Sequence, residues 1–521
     1  MSEGSQGAEP GVRLAETIAP LSLATDLDMG QPLEHALRAC LLAVRLGRAC
    51  GLSEEELIDI YYLSLVRYVG CTANQHVDAA VLGDDLAGRR WVLAVDFGDQ
   101  AQFLGKLREH VGTEERFTQA LAGLERTLGG TMAAHCEAGE RLAHRLGLSS
   151  VVQTALTQVY ERWDGKGAPR GLAGEAIVRP LRVVQMAHQV QAYHREHGVE
   201  GAVAMARQRS GGWYDPAIVE RFCANAPDLL DGLPESDDSW EAVLAAEPGP
   251  QPVVAGEDLD RCLEAMADFA DLQSPQFSGH SRGVAELAHA AAVCYGLPAA
   301  EANRIRRAGL VHDLGRLAVP AAIFGKSDRL SNGDWERIRL HPYFTERVLS
   351  RPKALASLGV LAGRHHERVD GSGYHVGLRG PLLSDSARIL GAADVYHALT
   401  EPRVHRPAHS PADAGAKLQV EVQAGRLDDR AAEAVLVAAG HRSAARRRTW
   451  PSGLTAREVE VLRLLARGLT NRGIGQTLCL TESTVHNHVL HVYDKIGAST
   501  RAGATLFAMQ HDLLDGFLAE R

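Results

Sequence analysis

The run His365-His366-Glu367-Arg368-Val369-Asp370-Gly371-Ser372-Gly373-Tyr374 sets two adjacent imidazoles at the head of a Gly-rich stretch, and it follows His312-Asp313 and His341 in the chain. Neutral imidazoles with a carboxylate that can bridge are what a pair of divalent metals takes, and His-Asp and His-His pairs on helix ends can deliver ligands to neighbouring ions. Any one of these histidines alone reads as an ordinary core or surface residue. Clustered, they argue for a hydrolytic centre: two close metals clamp a phosphate, lower the pKa of a shared water and stabilise the charge of an in-line displacement.

With His280 upstream, His312-Asp313-Leu314-Gly315-Arg316, His341, the His365 to Tyr374 run and finally Asp394, the order resembles the HD-GYP family of metal-dependent phosphodiesterases. The resemblance implies two divalent metal ions on His280, His312, Asp313, His341, His365, His366 and Asp394, with Asp313 as the catalytic, bridging ligand. It also implies that Arg316 acts as a catalytic phosphate clamp, that Gly373, Tyr374 and Arg403 join it at the substrate, and that the substrate is cyclic di-GMP or a related phosphorylated ligand. A nitrogen and oxygen ligand set without cysteine fits iron or manganese better than a thiolate zinc site, with zinc still compatible. Four positions depart from the family pattern. Arg316 stands for Lys, and a planar guanidinium does not replace a compact ammonium. His375 stands for Pro, His397 for an Asp, and Gln276 for a Glu that holds a third metal in some members, so two ions are expected here. An alternative keeps the site as a silent sensor that binds a phosphorylated ligand without turnover.

A faded copy of the motif lies upstream. Tyr160-Glu161-Arg162-Trp163-Asp164-Gly165-Lys166-Gly167 repeats the loop, His35 parallels His280, His135 parallels His341, and Gly212-Trp213-Tyr214-Asp215 parallels Gly425-Arg426-Leu427-Asp428. Such repeats are settled before the fold is assigned. The first copy has Arg67-Tyr68 for the His-Asp pair, Val159-Tyr160 for the His-His pair and His188 for the last Asp. It is expected to bind no metal pair and to serve a structural or regulatory role.

A third pattern closes the chain. Leu454-Thr455-Ala456-Arg457-Glu458 is written as a helix start, with a Thr cap and carboxylates in the first turn. Gly468-Leu469-Thr470-Asn471 breaks and caps a second helix, and Thr481-Glu482-Ser483-Thr484-Val485 opens a third. Two short helices with a third that offers polar side chains form the helix-turn-helix plan. The run resembles the LuxR-type DNA-binding domain. That resemblance implies double-stranded DNA as partner, a homodimer on an inverted repeat, base or phosphate contacts by Thr484, His486, Asn487 and His491, and phosphate contacts by Lys495 and Arg501. Gly473 and Gly475 are expected to soften the second helix, since each Gly costs about 1 kcal/mol relative to Ala.

The elements that must position these residues are helical. Ala- and Leu-rich text with apolar residues three and four apart, as in His280 to Val293 and Leu454 to Leu465, reads as amphipathic helix nearly throughout. The architecture expected is all-α: a disordered tail at 1–12, a degenerate HD-type bundle at 13–232, a Pro-rich linker at 233–256, an HD-type bundle with intact ligands at 257–440, a basic linker at 441–453 and the helix-turn-helix at 454–521. At 521 residues the chain can bury three cores. Its eight cysteines form no Cys-x-x-Cys pair, no leader-like segment opens the chain and no apolar run spans a bilayer, so a cytoplasmic protein with no membrane contact is expected. The net charge of −10 is uneven. Residues 441–521 carry eleven Lys and Arg against seven Asp and Glu, which confines attraction for nucleic acid to the tail, Arg446-Arg447-Arg448 included.

Overall fold

A computed structural model describes residues 11–92, 95–96, 99–234, 239–440, 450–511 and 513–514. Residues 1–10 of the expected tail at 1–12, residues 441–449 of the basic linker with Arg446-Arg447-Arg448, and 235–238 of the expected linker lie outside the described residues. The chain is 69% helical. The strands named among the described residues are a two-residue ribbon, Val12–Arg13 paired antiparallel with Val253–Val254. No helix among the described residues is long and apolar enough to cross a membrane.

The two copies share one plan. In each, a helix opens on the first motif histidine: His35–Ala49 in the first, His280–Tyr295 in the second. It packs against the next helix, Glu54–Val66 or Ala299–Val311, and against a later one, Arg179–Gln208 or Asp385–Thr400. Buried Leu37, Leu42, Ile60, Val184 and Phe222 fill the first bundle, and Phe269, Val284, Ile305, Ile389 and Val435 the second. The same internal distances recur. Ala36 N donates to Asp26 at 3.1 Å as Ser281 N donates to Asp271 at 2.9 Å. Arg182 pairs with Asp215 as Arg388 pairs with Asp428. A Cβ on Gly70 would lie 2.0 Å from the His135 carbonyl oxygen, and one on Gly315 2.2 Å from that of His341. Only glycine lets the turn approach the neighbouring helix so closely, so the resemblance of the copies reaches the backbone.

The first copy carries an insertion, Gln75–Leu82, Asp85–Val92, Gln100–Val111 and the 32-residue helix Glu114–Arg145, with a small apolar cluster of Leu107, Val111, Phe117 and Ala120. The stretch expected to be a plain linker is partly structured. Helix Ser239–Ala246 buries Trp240, Val243 and Leu244 against the first bundle, where Tyr61 donates to the Val243 carbonyl and Tyr62 to Glu247. Apolar side chains override the loop signal of the flanking prolines. Helix Leu14–Asp28 is buried almost all round and touches the second copy at Leu314–Ala318. Arg145 reaches Glu264 and Asp268, so the two bundles meet over both apolar and charged surface.

The C-terminal domain has helices Ala456–Ala466, Asn471–Leu478, Glu482–Ile496 and Arg501–Gln510. Thr455, Thr470, Thr481 and Thr500 cap all four, and Thr455 forms a full capping box with Glu458. These are the caps that end-of-helix chemistry favours.

Candidate metal centre

The seven candidate ligands arrive from different elements and meet at one buried point. His280 is the first residue of helix His280–Tyr295, His312 and Asp313 end helix Ala299–Val311, and His341 opens helix His341–Leu349. His365 and His366 follow helix Ala356–Ala362, and Asp394 lies within helix Asp385–Thr400. Helix termini are where side chains can converge without breaking the ladder of backbone hydrogen bonds.

Asp313 sits at the middle. Its Oδ1 faces His341 Nε2 at 3.3 Å and His365 Nε2 at 3.7 Å, while its Oδ2 faces His312 Nε2 at 3.2 Å and His280 Nε2 at 3.6 Å. Asp394 continues the second group, with Oδ1 3.3 Å from His280 Nε2 and 3.8 Å from His312 Nε2, and its Oδ2 lies 3.8 Å from His366 Nδ1. Two ligand groups result, His280 with His312 and Asp394, and His341 with His365 and His366, each close enough for one ion. One carboxylate oxygen of Asp313 is turned toward each.

The rest of the ring chemistry suits ligation. His312, His341 and His365 donate Nδ1–H to the carbonyls of Gly309, Ile338 and Ala362 at 2.7, 2.6 and 2.6 Å, which leaves each Nε2 lone pair directed at the centre. His280 gives its Nδ1–H to Glu401 at 2.9 Å. Partners of this kind set the tautomer and orientation of metal-bound imidazoles. His312 Nε2 is buried with no hydrogen-bond partner, which a polar atom rarely tolerates without a ligand. Burial, then the neighbouring His312 and His341, lowers His365 to about 3, and burial with His365 holds His366 well below the ordinary imidazole value. Both are therefore neutral donors. Burial alone would raise Asp313 and Asp394. For Asp313 the Arg316 guanidinium overcomes it, and for Asp394 the hydrogen bond from His280 does, so both carboxylates stay ionised. Nitrogen and oxygen donors, no thiolate and an orphaned buried Nε2 fit resident divalent ions.

Arg316 is placed differently from expectation. Its guanidinium donates to Asp313 Oδ2 at 2.5 Å and Asp271 Oδ1 at 2.9 Å, and lies 3.7 Å from the Phe277 ring centre. Fully buried and tied to two carboxylates, it stands behind the ligand set as a holder of Asp313, not at a phosphate. Arg403 is likewise engaged with Glu401 at 2.8 Å and the Gln276 carbonyl at 2.9 Å. Gln276 in turn donates its amide to the Phe324 carbonyl. Tyr374 lines the site, its ring 4.8 Å from that of His366, and Gly373 has no room for a Cβ, which would meet Arg368 N at 2.4 Å. His375 reaches Glu346 at 3.1 Å, and His397 Nδ1 lies 3.3 Å from Glu401.

Three supporting residues escaped the reading of the sequence. Glu401 organises His280, His397 and Arg403; Asp271 holds Arg316 and the start of the His280 helix; Glu367 accepts from the backbone of Val376, Gly377 and Leu378 and shapes the loop. Glu367 had a signal, since Glu161 does the same for Arg170 and Leu172 in the first copy. Asp271 had the same kind of signal in Asp26, whereas Glu401 had none, because its role arises only when distant helices meet.

In the DNA-binding region His486, Asn487 and His491 are exposed on one face of helix Glu482–Ile496, Thr484 is half-buried and bonded to Thr481, and Val485 and Val489 are buried. Lys495 and Arg501 are engaged within the domain. Lys495 pairs with Glu458 at 2.7 Å, and Arg501 donates to the carbonyls of Leu465 and Leu469 at 3.0 and 2.7 Å, closing the end of the domain's first helix. Gly475 is also required: a Cβ would lie 2.7 Å from the Leu480 carbonyl oxygen in the turn.

Comparison with known proteins agrees with this geometry. The HD domain family matches residues 130–218 and 264–431, one segment in each copy, and the family of bacterial regulatory proteins of the luxR type matches 452–508. The chain is 30% identical over 406 residues to 3'3'-cGAMP-specific phosphodiesterase 3 of Vibrio cholerae serotype O1, covering 76% of this chain and 88% of that protein. It is 34% identical over 229 residues to the cyclic di-GMP phosphodiesterase response regulator RpfG of Xanthomonas campestris pv. campestris, covering 42% and 58% respectively. A crystal structure of a cyclic GMP-AMP specific phosphodiesterase of V. cholerae superposes with a TM-score of 0.57 at 25% identity, covering 83% of this chain and 99% of the other.

Proposed function

Because the chain belongs to the HD-GYP-type HD-domain family of cyclic dinucleotide phosphodiesterases and ends in a luxR-type DNA-binding domain, we propose that it is a transcriptional regulator whose second copy hydrolyses a cyclic dinucleotide. The observation that carries the reading is Asp313, with one carboxylate oxygen facing His341 and His365 and the other facing His280 and His312. In this reading residues 13–232 form the degenerate copy, 257–440 the working one and 454–521 the DNA-binding domain.

Two divalent ions, iron or manganese by ligand type, would be held by His280, His312, Asp394 and Asp313 on one side and His341, His365, His366 and Asp313 on the other. Bound there, such ions supply Lewis-acid polarisation of a phosphoryl oxygen and a lowered pKa for water. The residues of the chain do the positioning. Arg316 keeps Asp313 ionised and fixed, the carbonyls of Gly309, Ile338 and Ala362 retain the Nδ1 protons, and Tyr374 gives the substrate a wall beside His366. Water adds across one P–O bond of the ring, leaving a linear dinucleotide with one terminal phosphomonoester and one free hydroxyl. Relatives named for 3'3'-cGAMP and for cyclic di-GMP make these the two substrates to try.

The test is metal content and turnover of both dinucleotides by protein purified without oxygen. Two bound ions and a linear product are expected, both lost in His312→Ala/Asp313→Ala. One observation favours a second reading, a sensor without turnover: Arg316, expected at the phosphate, is engaged elsewhere. Fully loaded protein that binds a dinucleotide and never cleaves it would select that reading.

For the tail, the exposed face of helix Glu482–Ile496 supports major-groove readout by His486, Asn487 and His491. A homodimer on an inverted repeat is expected. Loss of specific binding on deleting 450–521, and relaxed base preference in Asn487→Ala, are the outcomes a binding-site selection should return.

A further inference from the structure

The first copy keeps the scaffold of the metal centre and reverses the sign of its field. At the same offsets along the repeat, Tyr68 stands for Asp313, His188 for Asp394, Arg195 for Glu401, Arg67 for His312, Gln191 for His397 and Arg38 for Gly283. Three carboxylates have gone and three guanidiniums have come, while Cys71 and His197 stand for Arg316 and Arg403, so the balance shifts toward positive charge. Asp26, the counterpart of Asp271, is retained and is occupied with the backbone of Ala36. Glu34 is taken by Arg351. A site built for cations has become one built for an anion.

The polar atoms at its centre are poorly satisfied, with His35 near Gln191 and Tyr68 near Arg67 as one another's nearest company. Both ring nitrogens of His35, Nε and Nη1 of Arg67, the Tyr68 hydroxyl, Nδ1 of His188 and Oε1 of Gln191 are buried without a hydrogen bond. His35 and His188 are fully buried, and Gln191 is 4% exposed. Native interiors leave few such atoms, so a cluster of them in one place points to a ligand that completes it. Burial, then Arg195, Arg38 and Arg67, lowers His35 to about 3, in keeping with a concentration of positive charge around it.

A cavity of about 440 Å³ adjoins this cluster, lined by Gln31, Arg90, Trp91, Lys106, Tyr193 and Arg195 among others. Arg195 lines the cavity, where it pairs with Glu196 at 3.3 Å, and its charge acts on His35; Ala192, which also lines the cavity, shares an apolar cluster with Tyr68. Trp91 lines it, and its indole nitrogen is buried without a partner. The volume lies within the roughly 300–1,000 Å³ of small-molecule sites. Cations for phosphate, two aromatic rings for a base and an unused indole N–H are the parts a nucleotide requires.

We propose that the degenerate first copy binds a nucleotide, its phosphate between Arg67 and Arg195 and its base against Trp91 and Tyr193. The copy that lost the metal ligands is then the chain's second nucleotide site, one that binds and does not cleave. This inference is independent of turnover in the second copy.

The experiment uses the full chain carrying His312→Ala/Asp313→Ala, so that the second copy is silenced. Inorganic phosphate, GMP and 3'3'-cGAMP are titrated by calorimetry. One nucleotide per chain is expected, with affinity falling at least tenfold in Arg67→Ala and in Arg195→Ala. The same two substitutions in the otherwise unaltered chain should leave its metal content unchanged, which certifies the fold; Arg195, at the cavity rim, serves should Arg67→Ala fail to fold. GMP binding alone assigns a mononucleotide, and 3'3'-cGAMP binding a cyclic one. Absence of nucleotide binding at millimolar concentration, binding of inorganic phosphate only, or nucleotide affinity indifferent to both arginines overturns the proposal.

Discussion

Glu401 ties together the residues behind the metal centre, because one carboxylate orients His280, approaches His397 and neutralises Arg403. Partners of this rank are worth roughly 10–100-fold in metal affinity. Glu401→Gln should therefore lower affinity by about that factor with the helices intact, as read by chelator competition and circular dichroism; unaltered affinity would remove Glu401 from the site. Arg316 poses a different question. Its loss leaves Asp313 and Asp271 buried without their shared cation, and breaking such a pair costs about 3–5 kcal/mol. Bound ions would compensate Asp313, so Arg316→Ala should lower the Tm of metal-free protein more than that of manganese-loaded protein. Equal losses in the two states would contradict its assignment as the holder of Asp313.

Within single elements, the short helix Asn471–Leu478 separates two glycines that the sequence treats alike. A Cβ on Gly473 would make ordinary contacts, Thr470 Oγ1 at 3.5 Å and Leu469 Cβ at 3.8 Å, whereas one on Gly475 would strike the Leu480 carbonyl at 2.7 Å. Gly473→Ala should stabilise the DNA-binding domain by up to about 1 kcal/mol, and Gly475→Ala should destabilise it and weaken DNA binding; thermal melts that move in the same direction would refute the distinction. The third helix carries a second such point. Burial alone would raise Glu458, but Lys495 and Thr455 hold it below its ordinary value. A depressed carboxylate contributes stability that is present above the unfolded value, about 4.3 for Glu, and lost as pH falls through the folded one. Lys495→Ala should flatten that acid-side loss in the domain's melting temperature, and an unchanged pH profile would return Lys495 to the role of a free phosphate contact.

Across the whole molecule, the DNA-binding domain is seated on the junction of the two copies. Glu137 of the first copy takes Ser499 N at 2.9 Å, Ser499 Oγ at 3.2 Å and the Thr500 hydroxyl, Arg141 reaches the Gly497 carbonyl, and Ser278 of the second copy donates to Ala466 at 3.0 Å. Helix Arg501–Gln510 is buried along most of its length, against its own domain and against helix Glu114–Arg145. Glu137→Ala should release this seat. A larger radius of gyration in solution scattering and a separate melting transition for the C-terminal domain are expected, and scattering identical to the unaltered chain would mean that other contacts suffice.

The all-helical class, the tandem repeat, the seven candidate ligands and three of the four Thr caps of the tail were legible in the sequence because each depends on local chemistry or on spacing along the chain: helix periodicity, side-chain type, cap position. Which side chains oppose one another was not. Arg316 and Lys495 look like free cations in a string of letters, and only the meeting of helices far apart in the chain shows them facing Asp271 with Asp313, and Glu458. The linker helix Ser239–Ala246 was hidden by flanking prolines until the surface that buries Trp240 was in place. The reversed charge of the first copy was spelled out residue by residue, but its consequence, a buried cluster of unpartnered polar atoms beside a cavity, exists only in three dimensions, since burial and hydrogen-bond partnership are properties of packing and not of order along the chain.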